Sequence, residues 1–183
     1  MEEFSLYVLD ITMNSVRAGA DNIGILLEEK GDTLTFRVTD DGCGMTEETV
    51  NKLFNPFYTT RRTRQVGLGV PFLGMLAEQT GGTLDVQSKD DIRYPDDHGT
   101  VLTATFGLHH IDFIPLGDMI GTVITLIQGS PEINFTYDHI TPNGTVHLSC
   151  SELREVLGED ISLAEPEILA WIRDYLNEGY ASL

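Results

Sequence analysis

The sequence predicts an α/β fold, and three observations carry that prediction. Residues 3–19 place Phe4, Val8, Ile11, Ser15 and Ala18 on one side at helical spacing. Residues 33–39 alternate Leu34, Phe36 and Val38 with Thr33, Thr35, Arg37 and Thr39, the pattern of a strand with one buried face. Up to residue 108 the order is helix–strand–strand–helix–loop–helix–strand–strand, without long polar tracts.

The first helix has a second face of Tyr7, Asp10, Asn14 and Arg17, spaced three and four apart, and Gly19 supplies its C-terminal stop. Strands follow over Asn22–Glu29 and Thr33–Thr39, around a turn at Lys30-Gly31-Asp32. A short helix starts at Thr46, whose successors Glu47 and Glu48 suit a first turn. Asn55–Gln65 is polar and basic and reads as a loop. Val70–Thr80 is a helix with Pro71 near its start and Gly81-Gly82 as its stop. Strands over Thr83–Ser88 and Thr100–Leu108 flank a polar loop.

The composition shifts near 108–114, so the chain divides into a first domain, 1–110, and a C-terminal α/β extension, 111–183, expected to pack on it and to supply missing sheet or core. The extension reads as an apolar helix over Pro115–Gln128 and a hairpin around Pro142-Asn143-Gly144. A short helix from Ser151 and a last helix over Pro166–Tyr180 complete it. It carries twelve acidic side chains against Arg154 and Arg173, and it needs a surface to pack on.

Bulk properties narrow the function. With 29 acidic and 11 basic side chains the net charge is −18, which repels nucleic acid and anionic lipid as general partners. Arg61, Arg62 and Arg64 fall within four residues, which marks either one local anion site or a solvated loop. Cys43 and Cys150 form no CxxC pair, so no disulfide framework is implied. The N-terminus lacks a signal-peptide pattern. Ile111–Ile127 is broken by Asp112, Pro115, Gly117, Asp118 and Gly121, so no bilayer span is expected and the protein is expected to be cytoplasmic.

Four short motifs have physical reasons to bind a nucleotide. Asn14 lies mid-helix, where Asn is a poor helix former; its amide oxygen suits Mg²⁺, although a neighbouring backbone group satisfies such an Asn equally well. Asp10, one turn earlier, is placed to orient or deprotonate a water. Asp40 ends the second strand ahead of Gly42 and Gly44, so a carboxylate can accept from an exocyclic amine while glycines let a flat ring approach and Met45 packs on it. Gly67-Leu68-Gly69 precedes a helix, an arrangement of free N–H groups and helix dipole that cradles phosphate, with the nearby arginines to neutralise it.

Together these boxes, over residues 3–107, resemble the GHKL superfamily of gyrase, the heat-shock chaperone ATPase, MutL and histidine kinases. The segment from Asp10 to Ala20 resembles its N box and Asp40 to Met45 its D-x-G-x-G box. Leu53-Phe54-Asn55-Pro56-Phe57-Tyr58-Thr59-Thr60-Arg61 resembles the F box of histidine kinases, Gly67-Leu68-Gly69-Val70 the second glycine box, and Gly81-Gly82 and Gly99-Thr100 complete the pattern. The resemblance implies the Bergerat fold, helices over a mixed sheet. It implies ATP and Mg²⁺ as ligands, with Asn14 on the metal, Asp40 reading adenine, and Thr100 in the water network beside it. Gly44, Gly67 and Gly69 then approach the nucleotide, and residues 55–66 form a short, mobile lid. The expected ATP-binding set is Asn14, Asp40, Gly42, Gly44, Met45, Thr59, Thr60, Arg61, Gly67, Leu68, Gly69 and Thr100, with Asp10 catalytic.

Two departures shape the expected activity. Hydrolases of the superfamily carry Glu where this chain has Asp10, one methylene shorter, so hydrolysis is expected to be slow. No histidine in an acceptor-helix context precedes the N box, and His98, His109, His110, His139 and His147 all come later, so a complete autophosphorylating kinase is not expected. The main reading is a slow ATPase acting as a nucleotide-dependent switch on a protein partner. The alternatives are a kinase that phosphorylates a partner in trans, as the anti-sigma kinases of the superfamily do, and a non-catalytic adaptor. A metal cluster at His109-His110 is not expected, and one of the two is expected to be buried. Cys43 is expected to be a small space-filler.

Overall fold

A computed structural model describes residues 2–54, 69–158 and 160–183. Twelve elements follow one another among them: α1 (Phe4–Arg17), β1 (Asn22–Lys30), β2 (Thr33–Asp40), α2 (Glu47–Leu53), α3 (Gly69–Gln79), β3 (Leu84–Lys89), β4 (Gly99–Gly107), α4 (Met119–Gly129), β5 (Asn134–Thr141), β6 (Gly144–Ser149), α5 (Cys150–Leu157) and α6 (Pro166–Ala181). The expected Thr59, Thr60, Arg61, Gly67 and Leu68, with Arg62 and Arg64, lie outside the described residues.

The strands make one six-stranded sheet in the order β3-β4-β2-β1-β5-β6. It is mixed, because β1 pairs in parallel with β5 (Ile23 opposite Phe135, Ile25 opposite Tyr137) while the other pairs are antiparallel. Helices α1, α3, α4 and α6 pack side by side and cover one face, the α/β architecture expected from the sequence. Alternation decides which face is buried: Leu34, Phe36 and Val38 point under the helices, and Thr33, Arg37 and Thr39 are exposed on the other side.

Phe4 anchors the layer. Its ring meets Phe36 at 5.4 Å and Phe106 at 5.1 Å, both edge-on, which ties α1 to β2 and β4. Burying one such ring stabilises the fold by about 1.5–3 kcal/mol. Tyr7 is also buried, at 7 % exposure, although its position in the helical pattern is on the polar side. Because α1 contacts α3 and α4 as well as the sheet, its buried stripe is wider than a helix on a bare sheet would need.

The apolar helix expected from Pro115 starts later, at Met119. The Pro115 and Leu116 carbonyls instead accept from the N–H groups of Phe4 and Ser5, both at 2.8 Å, and so satisfy two orphan donors at the start of α1. Gly117, at φ +76°, turns the chain, and Asp118 caps α4 by accepting from the Gly121 N–H at 2.7 Å. No described helix is long and apolar enough to cross a membrane.

Candidate nucleotide-binding site

The antiparallel registers bring Asp40 opposite Thr100, and Thr100 opposite Ser88, at one end of β2, β4 and β3. Helix α1 crosses above them. The result is a cavity of about 280 Å³ whose lining includes Asn14, Ser15, Arg17, Asp40, Gly44, Met45 and Thr100, with Ile11, Val38, Val70, Val86 and Leu102 as apolar walls. A few polar groups converging in an apolar cleft is the usual form of a small-molecule site. The described members of the expected set thus meet in one place: Asn14, Asp40, Gly44, Met45 and Thr100 line the cavity, and Gly42, Gly69 and Asp10 stand beside it.

Both oxygens of Asp40 are held. Ser15 Oγ donates to Oδ2 at 2.5 Å and the Gly42 N–H donates to Oδ1 at 3.0 Å. A carboxylate held at both oxygens has one orientation toward the cavity, and each oxygen keeps a lone pair for a ligand. Met45 is fixed through its backbone, whose N–H donates to Ser88 Oγ at 2.8 Å. Ser88 Oγ lies 2.9 Å from Thr100 Oγ1 and 3.0 Å from the Gly99 carbonyl. This hydroxyl chain, which reaches the cavity at Thr100 and Met45, joins β3, β4 and the turn after β2.

That turn is set by close backbone approaches. Gly44 has φ +64°, and a Cβ there would lie 1.9 Å from the Lys89 carbonyl oxygen. At Gly42 a Cβ would lie 2.8 Å from the Ala18 Cβ, because the Cys43 N–H donates to the Ala18 carbonyl at 2.9 Å and draws the turn onto the end of α1. His98 Nδ1 sits 2.6 Å from the Gly42 carbonyl. Asp41 braces the other side: Oδ1 accepts from the Asp21 and Asn22 N–H groups and Oδ2 from the Asn22 amide. Burial alone would raise the Asp41 carboxyl, but the Asn22 amide and the Asn22 and Asp21 N–H groups together hold it below the ordinary value.

Asn14 is half-buried at the rim, and its Oδ1 accepts from Arg17 Nη1 at 3.1 Å. Arg17 therefore stands at the cavity mouth. Asp10 faces the first residue of α3: an added Cβ at Gly69 would lie 2.0 Å from Asp10 Oδ2, so glycine is what lets that carboxylate reach the helix start.

Two expectations about side chains are corrected. Cys43 is exposed and touches the cavity rim instead of filling space, because the turn faces outward there. His109 and His110 are both exposed, since β4 ends at Gly107 and they follow in a turn. The buried histidine is His139 on β5. No cluster of three or more histidine, cysteine or acidic side chains suited to a metal occurs among the described residues.

Ser15, Arg17, Asp41, Ser88 and His98 are the site residues whose roles the sequence reading did not assign. Ser15 and Ser88 carried a usable signal. Each is a polar side chain on the buried face of its element, in line with Ile11 on α1 and with Val86 on β3. Nothing in the local pattern marks His98.

A two-layer sandwich with a glycine-rimmed apolar cleft over the ends of its strands has the form of a small-molecule-binding domain, and the family it belongs to makes that class nucleotide-binding. The chain belongs to the histidine kinase-, DNA gyrase B- and HSP90-like ATPase family, whose sequence pattern matches residues 3–110. It is similar to the sensor histidine kinase YvrG of Bacillus subtilis, at 34 % identity over 88 residues, 46 % of this chain and 14 % of that protein. It is also similar to the sensor histidine kinase ZraS of Escherichia coli, at 29 % over 85 residues, 45 % of this chain and 18 % of that protein. The chain thus spans less than a fifth of the length of either kinase. In fold it is similar to the Aquifex aeolicus MutL ATPase domain complexed with ADP, with a TM-score of 0.57 at 16 % identity, over 85 % of this chain and 67 % of that one. That coverage exceeds residues 3–110, so the shared fold takes in C-terminal elements as well.

Proposed function

We propose that this chain binds Mg-ATP in the cleft between α1 and the ends of β2, β3 and β4 and hydrolyses it slowly, as a switch acting on a protein partner. The observation that carries the reading is the Asp40 carboxylate, fixed by Ser15 and Gly42 at the floor of an apolar cavity. A carboxylate so held accepts from the adenine amino group, while Met45, Val38 and Leu102 enclose the ring and Thr100, backed by Ser88, offers a hydroxyl beside it.

The phosphates then lie toward Asn14, Arg17 and the start of α3, where N–H groups and the helix dipole favour an anion. The family's metal fits this rim. Mg²⁺ keeps most of its waters and takes one or two protein oxygens beside the phosphates, and Asn14 Oδ1 has a lone pair left besides the one Arg17 uses. Bound there, Mg²⁺ would supply charge neutralisation at the phosphate oxygens. Asp10 reaches the same region past Gly69 and is the group that orients the attacking water and accepts its proton. Its short side chain makes that positioning imperfect, which is the reason to expect low turnover.

A second reading, transfer of the γ-phosphoryl group to a partner protein, is favoured by the similarity to sensor histidine kinases. γ-Labelled ATP separates the two: label released as free phosphate by the chain alone supports the first, and label on a co-purified protein supports the second. Absence of binding by calorimetry in excess Mg²⁺ would remove both.

A further inference from the structure

Strand β6 is an outer edge of the sheet. Its inner side pairs with β5 from Thr136 opposite Ser149 to Thr141 opposite Gly144. Among the described residues no strand pairs with its outer side, so alternate backbone N–H and C=O groups of residues 144–149 point away from the sheet. Helix α6 runs alongside, close enough that a Cβ on Gly179 would lie 3.3 Å from Val146 Cγ1. Between them lies a groove of about 240 Å³, lined by Thr145, Val146, His147, Tyr175, Glu178 and Ser182.

The flank of α6 above this groove has a distinctive chemistry. Trp171 and Tyr175 are 52 % and 42 % exposed, and their rings stack at 5.4 Å with 13° between planes. Glu167, Asp174 and Glu178 alternate with them at helical spacing, and Arg173 falls on the opposite flank. The helix is held firmly to the sheet: Tyr180 Oη lies 2.5 Å from Tyr137 Oη and 2.9 Å from His139 Nδ1, and His139 Nε2 reaches Glu29 at 3.1 Å. The groove is therefore formed before any ligand arrives.

We propose that the groove between β6 and α6 takes an extended, lysine- or arginine-rich segment of another protein, which adds to the sheet as a strand beside β6. Its backbone satisfies the outward groups of β6. Its cationic side chains lie over the Trp171 and Tyr175 rings and against Asp174 and Glu178. Charge selects this occupant over a second copy of the chain, because two chains of net charge −18 would bring two acidic flanks together at that edge. The groove lies at the edge of the sheet remote from β3 and shares no residue with the nucleotide cleft, so the inference does not rest on the nucleotide reading.

The test uses the full chain and a fluorescein-labelled decapeptide of alternating lysine and valine, with a second peptide in which alternate valines are proline. The first peptide is expected to bind and to slow amide exchange across 144–149, and Trp171→Ala and Glu178→Lys are each expected to weaken it about tenfold. The proline peptide, equal in charge but unable to pair, is expected to bind at least about tenfold more weakly. Equal binding of the two peptides, or unchanged exchange at 144–149, overturns the proposal. A dimer in solution with residues 144–149 protected before any peptide is added also overturns it.

Discussion

Ser15 Oγ donates to Asp40 Oδ2 at 2.5 Å, a bond between the last turn of α1 and the last residue of β2. Ser15 is 5 % exposed, so its hydroxyl has little water to turn to and orients the carboxylate that the cavity presents. Replacing Ser15 with Ala removes a hydrogen bond to a charged group, worth about 1.5–3 kcal/mol. Ser15→Ala is expected to weaken ATP binding about tenfold or more with the fold retained, and Asp40→Ala to abolish it. Titration calorimetry of both variants checks this; unchanged affinity in Ser15→Ala would show that the carboxylate needs no such orientation.

The approach of Asp10 to Gly69 gives a test of catalysis that leaves Asp10 itself in place. In Gly69→Ala the new methyl would stand 2.0 Å from Asp10 Oδ2, so the carboxylate must swing away from the start of α3. Hydrolysis is expected to fall about tenfold or more, by a larger factor than ATP affinity, because positioning dominates such steps. Asp10→Asn is expected to lose turnover likewise. Wild-type turnover in both variants would exclude Asp10 as the water-orienting group.

Glycines at the cleft and elsewhere differ in what they tolerate. Gly44→Ala combines φ +64° with a Cβ 1.9 Å from the Lys89 carbonyl oxygen, so the turn after β2 must move. It is expected to cost about 1–3 kcal/mol and to weaken nucleotide binding. Gly129, the last residue of α4, has nothing within 4 Å of an added Cβ, and Gly129→Ala is expected to stabilise the chain by about 0.4–1 kcal/mol. Urea melts of the two variants should shift their midpoints in opposite directions.

Two histidines oppose each other in the pH dependence of stability. The bond from His147 Nδ1 to Asp138, at 2.6 Å, with Glu152 nearby, raises the His147 pKa above its ordinary 6.5. Its stabilisation is complete below 6.5 and is lost as pH rises through the raised folded value. Burial lowers the His139 pKa, and the Glu29 carboxylate only partly offsets that. Because the unfolded chain then takes up a proton before the folded one, His139 costs stability as pH falls through 6.5. Denaturation from pH 5 to 8 should show a flatter alkaline side in His147→Gln and a flatter acid side in His139→Gln. Unaltered curves in both would mean that neither histidine governs the profile.

Much of this was legible before any coordinates. Alternation in Leu34–Phe36–Val38 and helical spacing from Phe4 to Ser15 depend on neighbours a few residues away, and both elements appear where those patterns place them. The glycine turn after Asp40 was legible for a similar reason, since a positive φ at Gly44 leaves few choices of residue. The start of α4 was not, because the Pro115 and Leu116 carbonyls are claimed by Phe4 and Ser5, more than a hundred positions earlier. Exposure of Cys43, His109 and His110 also depended on which way a turn leaves the sheet.

The sequence by itself determined the family, the order of elements up to residue 107 and the residue types at the cleft. Those follow from local periodicity, turn chemistry and short motifs, which a chain carries whatever its surroundings. Only the tertiary structure decided that Ser15 orients Asp40, that Ser88 links Met45 to Thr100, and that the extension's contribution is β5 and β6, set beside β1 to leave an open edge. Each of these is a contact between positions far apart in the chain. Such contacts depend on strand order and register, which local patterns constrain only to the choice of face.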